Sequence, residues 1–214
     1  MPRKAYPKTQ KKTQRHQLTK NKKTPQTTTK ISLQPVHTTT YVARPFQFMR
    51  DRERVERYHT EIVVLQNDMW RKMALLPHDA QETRRMLRNR QEAATFVSQI
   101  NRMMTQNEGL ALMIETASGE NVGYVFITES LDPLSMERIG IIGEMYMEET
   151  WRGQGAGTFA LQESEKWLSN RGTRAFQIFV TKTNVDAVQL YQKNGYAIVD
   201  YRMIKRSPIT STST

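Results

Sequence analysis

The chain has 214 residues, about one and a half times a typical domain, so one domain plus a tail is the expectation. Its net charge of +11 is unevenly placed: residues 1–37 hold ten of the 32 Lys and Arg and no Asp or Glu, which leaves a nearly neutral remainder of 22 basic against 21 acidic residues. Without cysteine there is no disulfide, thiolate nucleophile or zinc finger, and no apolar run approaches the roughly 18 residues of a membrane-spanning helix.

Residues 1–37 are rich in Lys, Thr and Gln and cannot bury enough apolar surface to offset the entropy of ordering them, so a disordered basic tail is expected. Such a tail is either simply solvated or an electrostatic arm for a polyanion such as nucleic acid, acidic protein or anionic lipid. It lacks the apolar run of a secretory signal, and its Lys-rich, Ser-poor composition fits a mitochondrial presequence poorly; a cytoplasmic location is the expectation. The four His are scattered without metal-ligand spacing, so no metal is expected. Residues 207–214 form a second polar tail.

The body, residues 38–206, opens with a β-like run over 39–43. Val55, His59, Ile62, Gln66, Met69 and Met73 then recur at helical spacing up to Pro77. Asp79 caps a second helix whose apolar stripe is Phe96, Val97, Ile100, Met103 and Met104. Residues 110–116 and 122–128 flank Ser118-Gly119-Glu120-Asn121 and predict a hairpin. After a polar loop over 129–137, residues 139–147 predict a third strand. A glycine-rich turn at 152–157 opens a helix that Gly172 stops. A strand at 175–180, a helix at 184–194 and a strand or tight hairpin at 196–205 complete a β-α-α-β-β-β-α-β-α-β order. That order predicts an α/β fold in which helices flank one mixed central sheet.

The turn after the third strand carries Gly153, Gly155 and Gly157. Glycines let backbone N–H groups face a ligand without Cβ obstruction, and the first turn of a helix holds donors with no internal partner. With the helix dipole, this makes a pyrophosphate cradle; the bland alternative is a turn packed under a helix. A dinucleotide fingerprint fails on spacing and on the missing acidic residue, and a Walker loop fails for want of Gly-Lys-Ser/Thr.

What does match is R-x-x-G-x-G, at Arg152, Gly155 and Gly157, and, 27 residues on from Gly157, Asn184, Ala187, Leu190-Tyr191 and Lys193-Asn194-Gly195-Tyr196. These residues resemble the two signatures of the GNAT superfamily of N-acetyltransferases, and the element order from about Thr39 to Arg206 agrees with that fold. The resemblance implies acetyl-coenzyme A as cosubstrate. Met145, Tyr146 and Met147 would offer backbone groups to the pantetheine and the acetyl carbonyl; Arg152, Gly153, Gln154, Gly155, Ala156 and Gly157 would bind the pyrophosphate through main-chain N–H groups; Asn184 would lie beside the arm. Trp151 stands where a smaller or phenolic residue is common in the family, and surface packing is the favoured reading for it over covering the adenine.

Direct attack needs a neutral amine. An alkylamine with a pKa of about 10.4 is deprotonated only about once in 10³ at pH 7, a cost of roughly 4 kcal/mol that a positioned base can help to meet. Glu144 is the candidate base: alternation places it on one strand face with Tyr146 and Glu148, opposite Met145 and Met147, and several relatives carry an acid eight residues before the position of Arg152. A satisfied ion-pair partner in the sheet is the competing reading, and Glu148 is the reserve candidate. Tyr191 is the candidate general acid for the departing thiolate, against a plain aromatic core role. The Met147 N–H would polarise the carbonyl. The expectation is N-acetyl transfer to a primary amine in a ternary complex, with the acceptor open between small molecules and proteins. The rival is a non-catalytic acyl-coenzyme A-binding module with a nucleic-acid-binding tail. Homodimer formation through edge pairing is common in such folds.

Overall fold

The computed structural model describes residues 39–206; both expected tails, 1–37 and 207–214, lie outside the described residues. The elements are β1 (Tyr41–Pro45), α1 (Phe48–Lys72), α2 (Ala80–Arg90), α3 (Glu92–Thr105), β2 (Gly109–Thr116), β3 (Asn121–Leu131), β4 (Arg138–Met147), α4 (Ala156–Asn170), β5 (Ala175–Ile178) and α5 (Val185–Lys193), with a short 3-10 turn at Glu149–Trp151. The sheet runs β1-β2-β3-β4-β5; successive strands are antiparallel except β4 and β5, which are parallel. This is the expected mixed sheet flanked by helices.

Three expectations are corrected. The first helix stops at Lys72, before Pro77, where Met73 caps it and Ala74 takes a positive φ. The expected second helix is two: Asp79 caps α2 with its side chain on the Glu82 amide, but Gln91 adopts a left-handed conformation (φ 51°, ψ 35°) and breaks the rod before α3. Gln carries no sequence signal for that conformation, which favours Gly or Asn. Finally, residues 196–205 form no strand. Val199, Tyr201 and Met203 are exposed there. β-prone residues make a strand only where a partner edge receives them, and among the described residues no strand pairs beyond β5.

The sheet faces divide two apolar cores. On one side Val55 and Tyr58 of α1 and Val97 and Ile100 of α3 pack on Met113, Tyr124 and Phe126. On the other, Ala160, Leu161 and Leu168 of α4 pack on Leu112, Val125, Ile127 and Ile142, with Leu190 and Tyr191 of α5 against the same core. Strict alternation along β4 would put Glu144 on the Ile142 side. It does not, because the β3–β4 register jumps from Phe126 opposite Glu144 to Ile127 opposite Ile142. Gly143 is the extra residue of a bulge. It turns Glu144 and Tyr146 toward α1, and sends Met145 and Met147 toward α4.

At the start of α1 the fully buried Asp51 accepts two bonds from Arg44 (2.7 and 2.8 Å) and one from the Gln47 amide (2.9 Å), tying β1 to the helix. Burial would raise its pKa, but the Arg44 guanidinium and the amide outweigh it and hold the carboxyl below its ordinary 3.8. A depressed carboxyl contributes stability that is complete above its unfolded value and is lost as pH falls through its folded one. Asp51→Asn is therefore expected to cost about 2–3 kcal/mol at pH 7, with a gap to the parent protein that narrows as pH falls through the lowered folded pKa of Asp51. Denaturant unfolding at several pH values measures this, and a gap independent of pH would contradict it.

Candidate active site

β4 is longer than its parallel neighbour. β5 pairs with it only from Ile139 opposite Ala175 to Ile142 opposite Ile178, so residues 143–147 have no β5 partner. On the other edge, the Glu148 amide donates to the Val122 carbonyl at 2.9 Å. Alternation from that bond turns the N–H groups of Met145 and Met147 away from β3, into the gap that β5 leaves. The slot so formed begins where β5 ends at Ile178 and is edged by the backbone groups of Met145 and Met147.

The slot leads to the glycine turn. Gly153 (φ 72°) and Gly155 (φ 92°) are left-handed, and a Cβ on either would meet open space, so backbone conformation rather than crowding demands glycine. Gly157 serves packing: a Cβ there would lie 2.9 Å from Leu190 on α5. Gly155 caps α4 without any side chain, and the first turn of the helix has no acidic residue. Among the described residues, no backbone carbonyl outside the helix takes up the amides of Gly153 through Thr158, and a first helical turn offers them none inside it. The result is a run of open donors at a helix N-terminus, the chemistry of a diphosphate cradle.

Other expected contacts fall differently. The Arg152 amide is engaged by the Glu149 carbonyl, and its side chain turns back, donating from Nε to the Met147 carbonyl (3.0 Å) with the guanidinium over the Tyr146 ring. Gln154 bonds the Thr150 carbonyl with its side chain, and its own carbonyl accepts from the Tyr41 hydroxyl. Asn184 caps α5, accepting from the Ala187 amide at 3.4 Å. Trp151 packs edge-on against Tyr41, in keeping with the packing reading.

Glu144 and Glu148 sit in different settings. Glu148 accepts from Arg57 (2.5 Å) and from the Tyr58 hydroxyl (2.8 Å); burial would raise its pKa, but these donors leave it lowered. The Glu144 side chain, 14% exposed, has one oxygen 2.8 Å from His59 Nδ1 while the other accepts from the Tyr124 hydroxyl. Burial first, then the charge of Glu144, pushes the Tyr124 phenol well above its ordinary value and keeps it a donor. Tyr58 stacks on Tyr124 and Tyr146 (ring centroids 5.6 and 4.6 Å apart), and the Arg57 guanidinium lies 4.7 Å from its ring centroid. Tyr191 belongs to the opposite core, and burial pushes its phenol up to about 12.

Sequence reading placed His59 only in a helical stripe; its partner lies 85 positions away, a contact no local pattern displays. Between α1 and α2 opens a cleft of about 650 Å³, lined on α1 by Glu53, Arg57 and Glu61 and on α2 by Arg84 and Arg88. The 129–137 loop does not line it. Among the described residues, no group of His, Asp and Glu is arranged to hold a metal ion, and no helix is long and apolar enough to cross a membrane.

A mixed sheet whose β4 outruns its parallel neighbour β5, with open amides at the start of α4, is the setting of an acetyltransferase fold of the GNAT type. The chain belongs to the acetyltransferase (GNAT) family, whose model matches residues 67–196. It is similar to two curated Bacillus subtilis (strain 168) proteins named as uncharacterized N-acetyltransferases: YdgE, 32% identical over 93 residues, and YhfO, 25% identical over 91 residues. These matches cover 44% and 42% of this chain and 58% and 61% of the relatives, so the chain spans about three fifths of their length. Among solved structures, a tetramutant of the BH1408 protein from Bacillus halodurans shares the fold at 16% identity and TM-score 0.62, covering 78% of this chain and 99% of that one. A predicted acetyltransferase from Clostridium acetobutylicum, solved with acetyl-CoA, shares it at 17% identity and TM-score 0.52, covering 78% and 96%.

Proposed function

We propose that this chain moves an acetyl group from acetyl-coenzyme A to a primary amine by direct attack within a ternary complex. The observation that carries the reading is the run of open amides from Gly153 through Thr158, a few residues beyond the stretch of β4 that β5 leaves unpaired. The fold relative solved with acetyl-CoA supports the same ligand. When bound, acetyl-coenzyme A supplies the activated acetyl group as a thioester. Gly153, Gln154, Gly155, Ala156 and Gly157 would hold its diphosphate by main-chain N–H groups, and Met145, Tyr146 and Met147 would offer backbone groups along the slot, with the Met147 N–H aimed at the acetyl carbonyl. Asn184 contributes by setting the start of α5, and Arg152 by holding the end of β4.

Glu144 takes the proton the amine gives up as the new C–N bond forms. Glu148 is the weaker choice, because the permanently charged Arg57 guanidinium sits on it and helps to hold its pKa below the ordinary value, whereas the partners of Glu144 are an imidazole and a phenol. Tyr191, protonated at neutral pH, gives its proton to the sulfur as the C–S bond breaks. Base and acid then work from opposite faces of the sheet, with the slot between them. The α1–α2 cleft, which reaches Arg57 and through it Glu148, is the route for the acceptor.

Two experiments decide. Calorimetry should detect coenzyme A binding, and a panel of spermidine, tyramine, kanamycin and a lysine peptide should release free coenzyme A from its acetyl form. The chain has no cysteine, so thiol detection carries no protein background. Binding without release across the panel would favour the non-catalytic module; no binding at millimolar coenzyme A would end both readings. Tyr191→Phe is expected to lower kcat about tenfold or more with coenzyme affinity held, and unchanged turnover would remove Tyr191 from the mechanism.

A further inference from the structure

We propose that His59 is a positioning residue for the base, donating from Nδ1 to Glu144 so that His59 and Tyr124 together fix the carboxylate's orientation; this rests on the reading of Glu144 as the base. His59 is buried on α1, its ring stacked on Phe96 of α3 (centroids 4.0 Å apart, planes 17° off parallel), with Nδ1 2.8 Å from Glu144 Oε1. Its other nitrogen, Nε2, is buried and has no partner among the described residues. That asymmetry selects the tautomer. A proton on Nε2 would leave a buried N–H without an acceptor and set the Nδ1 lone pair against a carboxylate oxygen. A proton on Nδ1 leaves only an unused acceptor, the cheaper defect. His59 therefore donates to Oε1 while Tyr124 donates to Oε2.

The two donors come from α1 and β3, and the carboxylate from β4. Gripped at both oxygens by different elements, it cannot turn about its last torsion, and its remaining lone pairs keep a fixed relation to the slot. Packing alone does not account for the residue. An apolar ring would fill the space beside Phe96 without burying an unsatisfied nitrogen, so imidazole is the costlier filler unless Nδ1 is used. The titratable or charged groups joined to the pair through hydrogen bonds and ring stacks are Tyr124 on β3, Tyr146 and Glu148 on β4, and Arg57 and Tyr58 on α1; α3 contributes the Phe96 ring.

The test has an arm that needs no acceptor. In the full chain labelled with ¹⁵N-histidine, His59, assigned by its loss in His59→Gln, is expected as a neutral Nδ1–H tautomer; an Nε2–H tautomer overturns the proposal. The kinetic arm compares His59→Asn, whose amide nitrogen falls near the Nδ1 position, with His59→Gln, whose amide falls near Nε2. The substrates are acetyl-coenzyme A and the fastest amine of the panel. Loss of the donor frees the carboxylate to turn, so His59→Gln should lower kcat about tenfold with the KM for acetyl-coenzyme A held, and Asn should restore most of the loss. Equal kcat for Gln and Asn would mean packing and overturn the proposal. Glu144→Gln run alongside separates the failures: if it leaves kcat unchanged, the base reading falls and this proposal with it. If it slows the enzyme while His59→Gln keeps the parent kcat, His59 alone is refuted.

Discussion

Glu144→Gln is expected to cut kcat at neutral pH by about 10²–10³ while coenzyme affinity stays within about twofold. The size follows from the task. With most of the amine protonated at pH 7, a base positioned at the attacking nitrogen contributes in this range, and the amide cannot accept the proton. The affinity should hold because Glu144 faces α1, on the other side of the sheet from the Met145 and Met147 side chains, and is remote in sequence from the open amides after β4. The loss should also shrink as pH rises, since the neutral amine grows tenfold per unit until its own pKa. Stopped assays from pH 6.5 to 9.5 read this directly. A loss of equal size at every pH would mean that Glu144 shapes the sheet and does not take the proton.

Gly155→Val is expected to weaken coenzyme A binding by about 10²-fold. At φ 92° a β-branched residue is strained, and the chain relieves that strain by rotating the peptide units that aim the Ala156 and Gly157 amides. Amide bonds to a charged phosphate contribute roughly 1.5–3 kcal/mol each, so misaiming one or two of them accounts for the factor. Gly172→Ala provides the control. Gly172 has a similar φ of 87° and open space around a Cβ, but sits past the far end of α4. It should lower Tm without touching coenzyme affinity. If Gly155→Val binds normally in calorimetry, the diphosphate is held elsewhere.

Much of this site was legible in the chain because its parts are local. The glycine turn, the Asn184 cap and the alternation that groups Glu144 with Tyr146 each occupy a few consecutive residues, where sterics and periodicity act directly. What stayed hidden depends on distant partners or on residues without a signature. His59 meets Glu144 across 85 positions, Arg57 meets Glu148 across 91, and the break between α2 and α3 falls on a glutamine. The overreach at residues 196–205 is the same lesson reversed: β-propensity is local, but a strand is a pairing. Arg152 was legible as a member of the motif, yet not in its use, since its side chain closes the end of β4.

The spare residue at Gly143 has a consequence for how β4 tolerates change. Upstream of it the strand keeps one parity, set by its bonds to β5; downstream it keeps the other, set by the bases and rings it must present. Point substitutions between 144 and 147 would alter single groups, whereas drawing Gly143 into regular pairing would exchange the carboxylate and the tyrosine for the two methionines in a single step, and losing Gly143 altogether would leave them on their present faces. The reacting end of this strand is thus written in a reading frame of its own, with one glycine as the place where the frame is reset.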